Sequence, residues 1–493
     1  MVKAIARGWT WWTGTPWLAT ALALAWPLGL HAQTPKSEPA ARAKSTPAGK
    51  ASSKSDTPKE EAAAPEPGVE KPDAVEVPPP PKGTKEVTEV FRDEATEQVI
   101  KNIKTFPTLD GPNPPSAEGF RRMAQNLVAV NADVIDQYVK GHVAEMASRS
   151  VLNKFAGKNP QAGIEAVEKA FEDLMDPIAR ANKANNAAFL TAYARSLANN
   201  VPKLLKNHLY ARVEGIILLS KIGEMAVVPV LIEQLNDRKQ IVVVKLQAAH
   251  GLTNVTDGGK RPISPAKLEL EAAKAVNSFL NQEPEAIWPA KFRALEALGS
   301  LKQPSQNPVV KDFHMVQTAA RMLADPKERP EVRAWAAWAL GMMRVSAPDP
   351  KLDYRAIAGH VGQLAAELGE KIVTIRSQKG NFRAGDLTAL LAYPIYNSLK
   401  GEPEVNRSGL LASGALGTAT PFVAKLEALV KSEASAAVEL DQSPAALVDA
   451  RRKELADSVE GIKKLLAAEA PPTAGASGRV GIVGDRGVKT KPE

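Results

Sequence analysis

The stretch Val332–Gly341, VRAWAAWALG, limits what this chain can fold into more than any other part of it. A β-branched residue and an Arg open it, small and apolar residues follow at helical spacing, and Leu340-Gly341 closes it. The same pattern recurs at Lys291–Gly299 (KFRALEALG), and in weaker form at Lys245–Ala249 (KLQAA) and Arg212–Ile217 (RVEGII). The basic residues of these copies, Arg212, Lys245, Lys291 and Arg333, are 33, 46 and 42 residues apart. A unit that returns every 33–46 residues as two helical patterns indicates an α-solenoid. One helix pair cannot bury its apolar face alone, whereas stacked pairs share one seam.

Each copy has a partner helix. The spacing predicts A and B helices over 212–222 and 228–237, 243–255 and 266–280, 288–298 and 309–323, and 331–343 and 354–373. Pro229 fits a first helical turn, where a missing N–H costs little. VRAWAAWALG and VPVLIEQLND (Val228–Asp237) resemble HEAT repeats, in particular the short bacterial HEAT-like (PBS-lyase-type) kind. The resemblance covers about a third of the chain, residues 202–376. It implies a scaffold that binds protein partners, with B helices lining the concave side. Their polar stripes would be Lys267, Glu271 and Lys274; His314, Gln317 and Arg321; and His360, Gln363 and Glu367.

Composition narrows the setting. The formal charge is +8, of which Lys3 and Arg7 supply two units and the last 23 residues two more, leaving +4 for residues 34–470. That is far from the clustered basic field of a nucleic-acid binder, so no nucleic acid is expected. There is no cysteine, which excludes disulfides, thiolate metal sites, Cys nucleophiles and lipoprotein acylation. Residues 1–33 read as a signal peptide: a basic start, a 14-residue apolar run at Trp17–Leu30, and Ala32 before a cleavage point at Gln33. The chain is therefore expected to be exported, periplasmic or extracellular in a bacterium, and membrane-bound only if this segment is retained.

Flanking regions complete a six-part plan. Residues 34–84 are a disordered Pro/Ala/Lys/Glu-rich linker. Eleven of residues 34–82 are Pro, and no aromatic falls between Trp26 and Phe91. Residues 85–201 form an N-terminal helical cap. It begins with a helix over 87–106, followed by a long one from Ala117 towards Phe155 whose stripe is Phe120, Met123, Leu127, Val130, Val134 and Ile135. A further helix runs from Gly163 past Pro177 towards Leu197. After the repeats, residues 377–470 form a C-terminal region with helices over 384–399, 408–431 and 444–468. Residues 471–493 form a Gly-rich disordered tail. The fold class is all-α: a solenoid of HEAT-like pairs between helical caps.

Searches for chemistry return little. There is no G-x-S-x-G, no H-E-x-x-H and no His-Glu dipeptide. Gly481–Thr490 has the wrong spacing for a phosphate loop. His142 and Glu145 share a helix face, but no second pair completes a metal site, so a surface or capping role is expected. His250 is expected near the surface of an A helix, and Trp335 and Trp338 in the core. No catalytic residue, cofactor or metal is assigned. The leading expectation is an exported, non-catalytic protein-binding scaffold of the cell envelope with an unidentified protein partner. Its rivals are a tethering component with a retained N-terminal anchor and an enzyme with an unrecognised site.

Overall fold

The structure, a computed structural model, describes residues 105–157, 160–378 and 384–469. The segments 1–33, 34–84 and 471–493 lie outside the described residues, as does the helix over 87–106 except for its last two positions. All regular structure among the described residues is helical.

The N-terminal region is more broken than its apolar pattern suggests. Instead of one helix from Ala117 to Phe155 there are three: α1 (Ala117–Ala124), α2 (Ala132–Met146) and α3 (Arg149–Ala156). Asn126 adopts a left-handed conformation (φ 62). Asn131 Oδ1 accepts the N–H groups of Asp133 and Val134 at 3.0 and 3.2 Å, and Ser148 Oγ accepts that of Val151 at 3.3 Å. Short polar side chains thus offer the backbone a better partner than the next helical carbonyl. Phe120, Met123 and Ile135 are buried as expected, while Leu127 falls in the break and is 64% exposed.

The next expected helix also divides, into α4 (Gln161–Lys183) and α5 (Ala187–Asn200). Asn185 turns left-handed (φ 51), and Asn186 caps α5 through the N–H of Phe189 at 3.1 Å. Pro177 lies inside α4, where it cannot donate to the carbonyl of Asp173. Tyr138 fills that position, its hydroxyl donating to Asp173 O at 2.9 Å, while Tyr193 donates to Leu174 O at 2.8 Å.

Four helix pairs follow. They are α6 (Leu209–Ile222) with α7 (Val228–Asn236), α8 (Val242–Val255) with α9 (Ala266–Gln282), α10 (Trp288–Leu301) with α11 (His314–Ala324), and α12 (Pro330–Met342) with α13 (Tyr354–Ser377). The A helices α6, α8, α10 and α12 pack each on the next, and so do the B helices. Each of α7, α9 and α11 also packs on the A helix that follows it. Within these four pairs the largest departure from expectation is α11, which begins at His314 rather than Val309. Residues 302–313 instead form a loop with left-handed Lys302, Lys311 and Phe313. Asp312 pins this loop by accepting the N–H groups of Gln306 and Asn307 at 2.8 and 3.0 Å.

The repeated residues explain the stacking. A Cβ on Gly299 would lie 2.6 Å from the Trp338 ring and 2.9 Å from Ala339 Cα; one on Gly341 would lie 2.5 Å from Ser398 O. The Gly that closes each Leu-Gly pair is therefore where the next A-layer helix crosses. The basic residues have a second role. Arg212, Lys245, Lys291 and Arg333 are each the fourth residue of their A helix. Arg212 donates to Gln240 Oε1 (3.2 Å), Lys245 pairs with Glu283, Lys291 with Glu328 (2.5 Å) and Arg333 with Glu367 (2.6 Å). Lys245, Lys291 and Arg333 are buried, and each acceptor lies 28–38 residues downstream. These four ties couple each A helix to the loop before the next pair or, at Arg333, to its own B helix.

Beyond α13 the A layer continues as one rod made of α14 (Gly385–Leu390), a π-helical turn (Leu391–Ile395) and α15 (Tyr396–Lys400), packed on α12. The π turn contains Pro394, whose missing N–H suits the displaced ladder. Helix α16 (Thr420–Gln442) starts twelve residues later than expected, behind left-handed Gly409 and Gly417 and two 3-10 turns. Gly409 N–H instead donates to Gly341 O at 2.6 Å. Helix α17 (Val448–Glu469) then packs across α13 and α16.

Candidate binding surface

The two layers present different outer faces. On the B layer Lys267, Glu271, Lys274, His314 and Arg321 are exposed, and Gln317, His360 and Glu367 are half-buried or at the margin. Their bonds are mostly short-range. Lys267 is 3.9 Å from Glu271, and His360 Nδ1 is 3.0 Å from Gln363 Oε1. Arg321 reaches α9, donating to Asn281 Oδ1 at 2.8 Å, and Glu367 is occupied by Arg333. None of these bonds joins one stripe to another.

On the A layer the outward residues stand in rows across successive helices: Val213, Glu214, Ile217 and Lys221 on α6; Val243, Gln247, His250 and Asn254 on α8; Phe292, Arg293 and Glu296 on α10; Trp335 and Trp338 on α12. Helix α4 packs on α6, and its Glu168 and Glu172 act on Glu214; apart from Lys221 none of these residues is exposed, and Glu296, Trp335 and Trp338 are buried. Together they make a wall of largely shielded side chains along the A layer.

Electrostatics follow from that enclosure. Burial works against ionisation of Glu296, but the Arg293 charge, 2.6 Å away, and His250 outweigh it and hold the carboxyl down at about 2. Burial, reinforced by Arg293, lowers His250 to about 4; its Nδ1 stands 3.8 Å from Glu296 Oε2. Burial, helped by Glu168 and Glu172 of α4, raises Glu214 to about 7, and burial followed by Arg293 lowers Lys221. Beside this group an aromatic cluster forms. The Trp335 ring is 5.0 Å from Phe292 and from Trp338, and 6.0 Å from Tyr393. Trp338 Nε1 donates to Glu402 Oε1 at 2.8 Å. The tryptophans are core residues, as expected, and also the floor of this wall. Sequence reasoning identified His250 and the tryptophans separately; it missed that Glu296 and Arg293 join them, although the signal was there, since His250, Glu296 and Trp338 each follow their basic anchor by five residues and are the ninth residues of α8, α10 and α12.

Elsewhere, His142 is buried rather than superficial, with Nδ1 2.7 Å from Glu145 Oε2 and its ring edge-on to Tyr138 at 4.5 Å. The pair borders a pocket of about 430 Å³ that also includes Lys154, Lys169 and Asp173. Among the described residues no group of three or more His, Asp or Glu side chains is placed to hold a metal ion. Among them, too, no helix is long and apolar enough to cross a membrane.

No family model matches this chain, and no curated protein matches it either.

Proposed function

We propose that residues 202–400 form a HEAT-like α-solenoid with the A layer on its inner side, in an exported chain that acts as a non-catalytic protein-binding scaffold of the cell envelope. The observation that carries this reading is the stacking itself: helices pack mainly on their neighbours in two layers, one close and glycine-notched, the other bearing exposed charge. Stacked pairs of this kind offer a rigid wall, which lowers the ordering cost of binding. The wall is mixed in character, combining Val213, Ile217 and Val243 with Gln247 and Lys221, which suits a folded protein surface better than a small substrate. A second reading keeps the B-helix stripes Lys267, Glu271, Lys274, His314, Gln317, Arg321, His360, Gln363 and Glu367 as the binding face; the exposure of five of these nine favours it.

One capture experiment separates the readings. The full chain, cross-linked in its native envelope, is compared with an inner-wall variant (Lys221→Glu, Gln247→Glu) and a B-layer variant (Lys267→Glu, Lys274→Glu, Arg321→Glu). Loss of the captured protein in the first variant alone supports the inner wall. Loss in the second alone transfers the site to the B layer, and no captured protein with any chain removes the scaffold reading.

A further inference from the structure

The terminal helix α17 docks over a carboxyl group that has no partner. Glu433 of α16 is 0% exposed, and neither of its carboxylate oxygens has a hydrogen-bond partner among the described residues. It occupies a notch in α13 that only glycine leaves open, since a side chain at Gly369 would collide with Glu433 Oε1 and with Val459 of α17. The three helices therefore meet on this one acid. The other ties of α17 include three buried apolar side chains, Leu455, Val459 and Ile462, and one part-buried polar tie at its last residue, where Arg355 of α13 donates through Nε to Glu469 O at 2.7 Å. The exposed contacts are Lys463 with Glu370, Lys425 with Glu469 (2.6 Å), Arg451 with Glu439 (2.7 Å) and Ser458 with Ser432 (3.2 Å). Exposed pairs of this kind hold little.

The charges around Glu433 do not compensate it. The charge that bears on it is Glu370 of α13, whose own partner is Lys463 of α17. Arg376 of α13 donates to Leu440 O, further along α16, and Asp386 of α14, on the other flank, is exposed. Burial first, and the Glu370 charge second, push the Glu433 carboxyl up from 4.5 to about 8. At neutral pH it is mostly protonated, a neutral group among apolar neighbours.

We propose that α17 is a proton-locked cap, docked on α13 and α16 while Glu433 carries its proton and released from them when the proton is lost. The direction follows from linkage. A carboxyl raised in the docked state gives its full contribution below the ordinary value near 4.5. It loses that contribution as pH rises towards about 8, above which docking no longer changes with this group. Over that interval the undocked fraction grows by about tenfold per pH unit. Release uncovers the apolar seam between α13 and α16 without disturbing the four anchor ties.

The test uses the absence of cysteine from the chain. Ile462→Cys places a thiol on the buried face of α17, and Leu298→Cys places one inside α10; both parent side chains are 0% exposed. Labelling rates are measured between pH 5 and 9 in the full chain and again with Glu433→Gln, so that the ratio cancels the thiol's own ionisation. The expected ratio at position 462 rises about tenfold per pH unit up to about 8 and then levels off, while that at 298 stays flat. A flat ratio at 462, or an equal rise at 298, overturns the proposal. If Glu433→Gln does not fold, Glu433→Leu serves as the reference and the same outcomes decide.

Discussion

The A and B layers are built from the same alternating chain, yet their tolerance differs. The A helices meet through Ala and Gly, with backbone close to neighbouring backbone, so a methyl group has nowhere to go at Gly299 or Gly341. The B helices carry their neighbours on one side and present Lys267, Lys274 and Arg321 to water on the other. Stability in such an array is therefore expected to reside mainly in the close layer, with the open layer left to vary.

Four measurements of unfolding sharpen that contrast or break it. The largest effect is expected from Leu298→Asp, which forces an unpaired charge into a site that is 0% exposed; a loss of about 4 kcal/mol or more in denaturant unfolding is expected. Wild-type melting of this variant would mean that the A–B register is wrong. Gly299→Val comes next, at about 3 kcal/mol, because the Trp338 ring and the Ala339 backbone must both shift. A third effect depends on pH. His208 caps α6, with Nδ1 3.3 Å from the Ala211 N–H it accepts and Nε2 3.0 Å from Met146 O, and burial lowers it from 6.5 to about 4. This neutral form is favoured by folding, so its contribution is complete above 6.5 and falls as pH drops towards 4. His208→Asn should remove about 2 kcal/mol of the loss seen between pH 6 and 4, while His250, which acts in the same direction, keeps its share. On the B layer, Lys274→Ala and Arg321→Ala should each change stability by less than about 0.5 kcal/mol. A larger loss there would dissolve the distinction between the layers.

Much of the array was legible in the sequence because its signals reinforce one another. The Leu-Gly closure, the basic fourth residue and the apolar period all mark the A helices, and the structure gives each a physical role. The anchors came from spacing alone; their acceptors did not, because Gln240 and Glu328 stand late in their loops, Glu283 at the start of its loop and Glu367 inside α13. Periodicity failed where a short polar side chain competed with it. Leu127 and Val309 continue a helical pattern, but Asn126, Asn131 and Asp312 divert the backbone around them. The candidate wall was harder still to read. His250, Glu296 and Trp338 each stand five residues after their basic anchor, so the repeat spacing aligns them, but three unlike side chains give no pattern of residue type to draw attention to the row. Glu433 left no signal, since an acid in an amphipathic helix reads as solvated until Gly369 is placed beside it.

The short reach of the anchor ties has a bearing on how the chain assembles. Each basic residue finds its acceptor within 28–38 residues, so a pair can close soon after both of its ends leave the ribosome, before distant segments exist. Low contact order of this kind favours rapid, sequential zippering from the N-terminal side. It also means that a defect in the middle should leave two independently folded stumps rather than one unravelled chain.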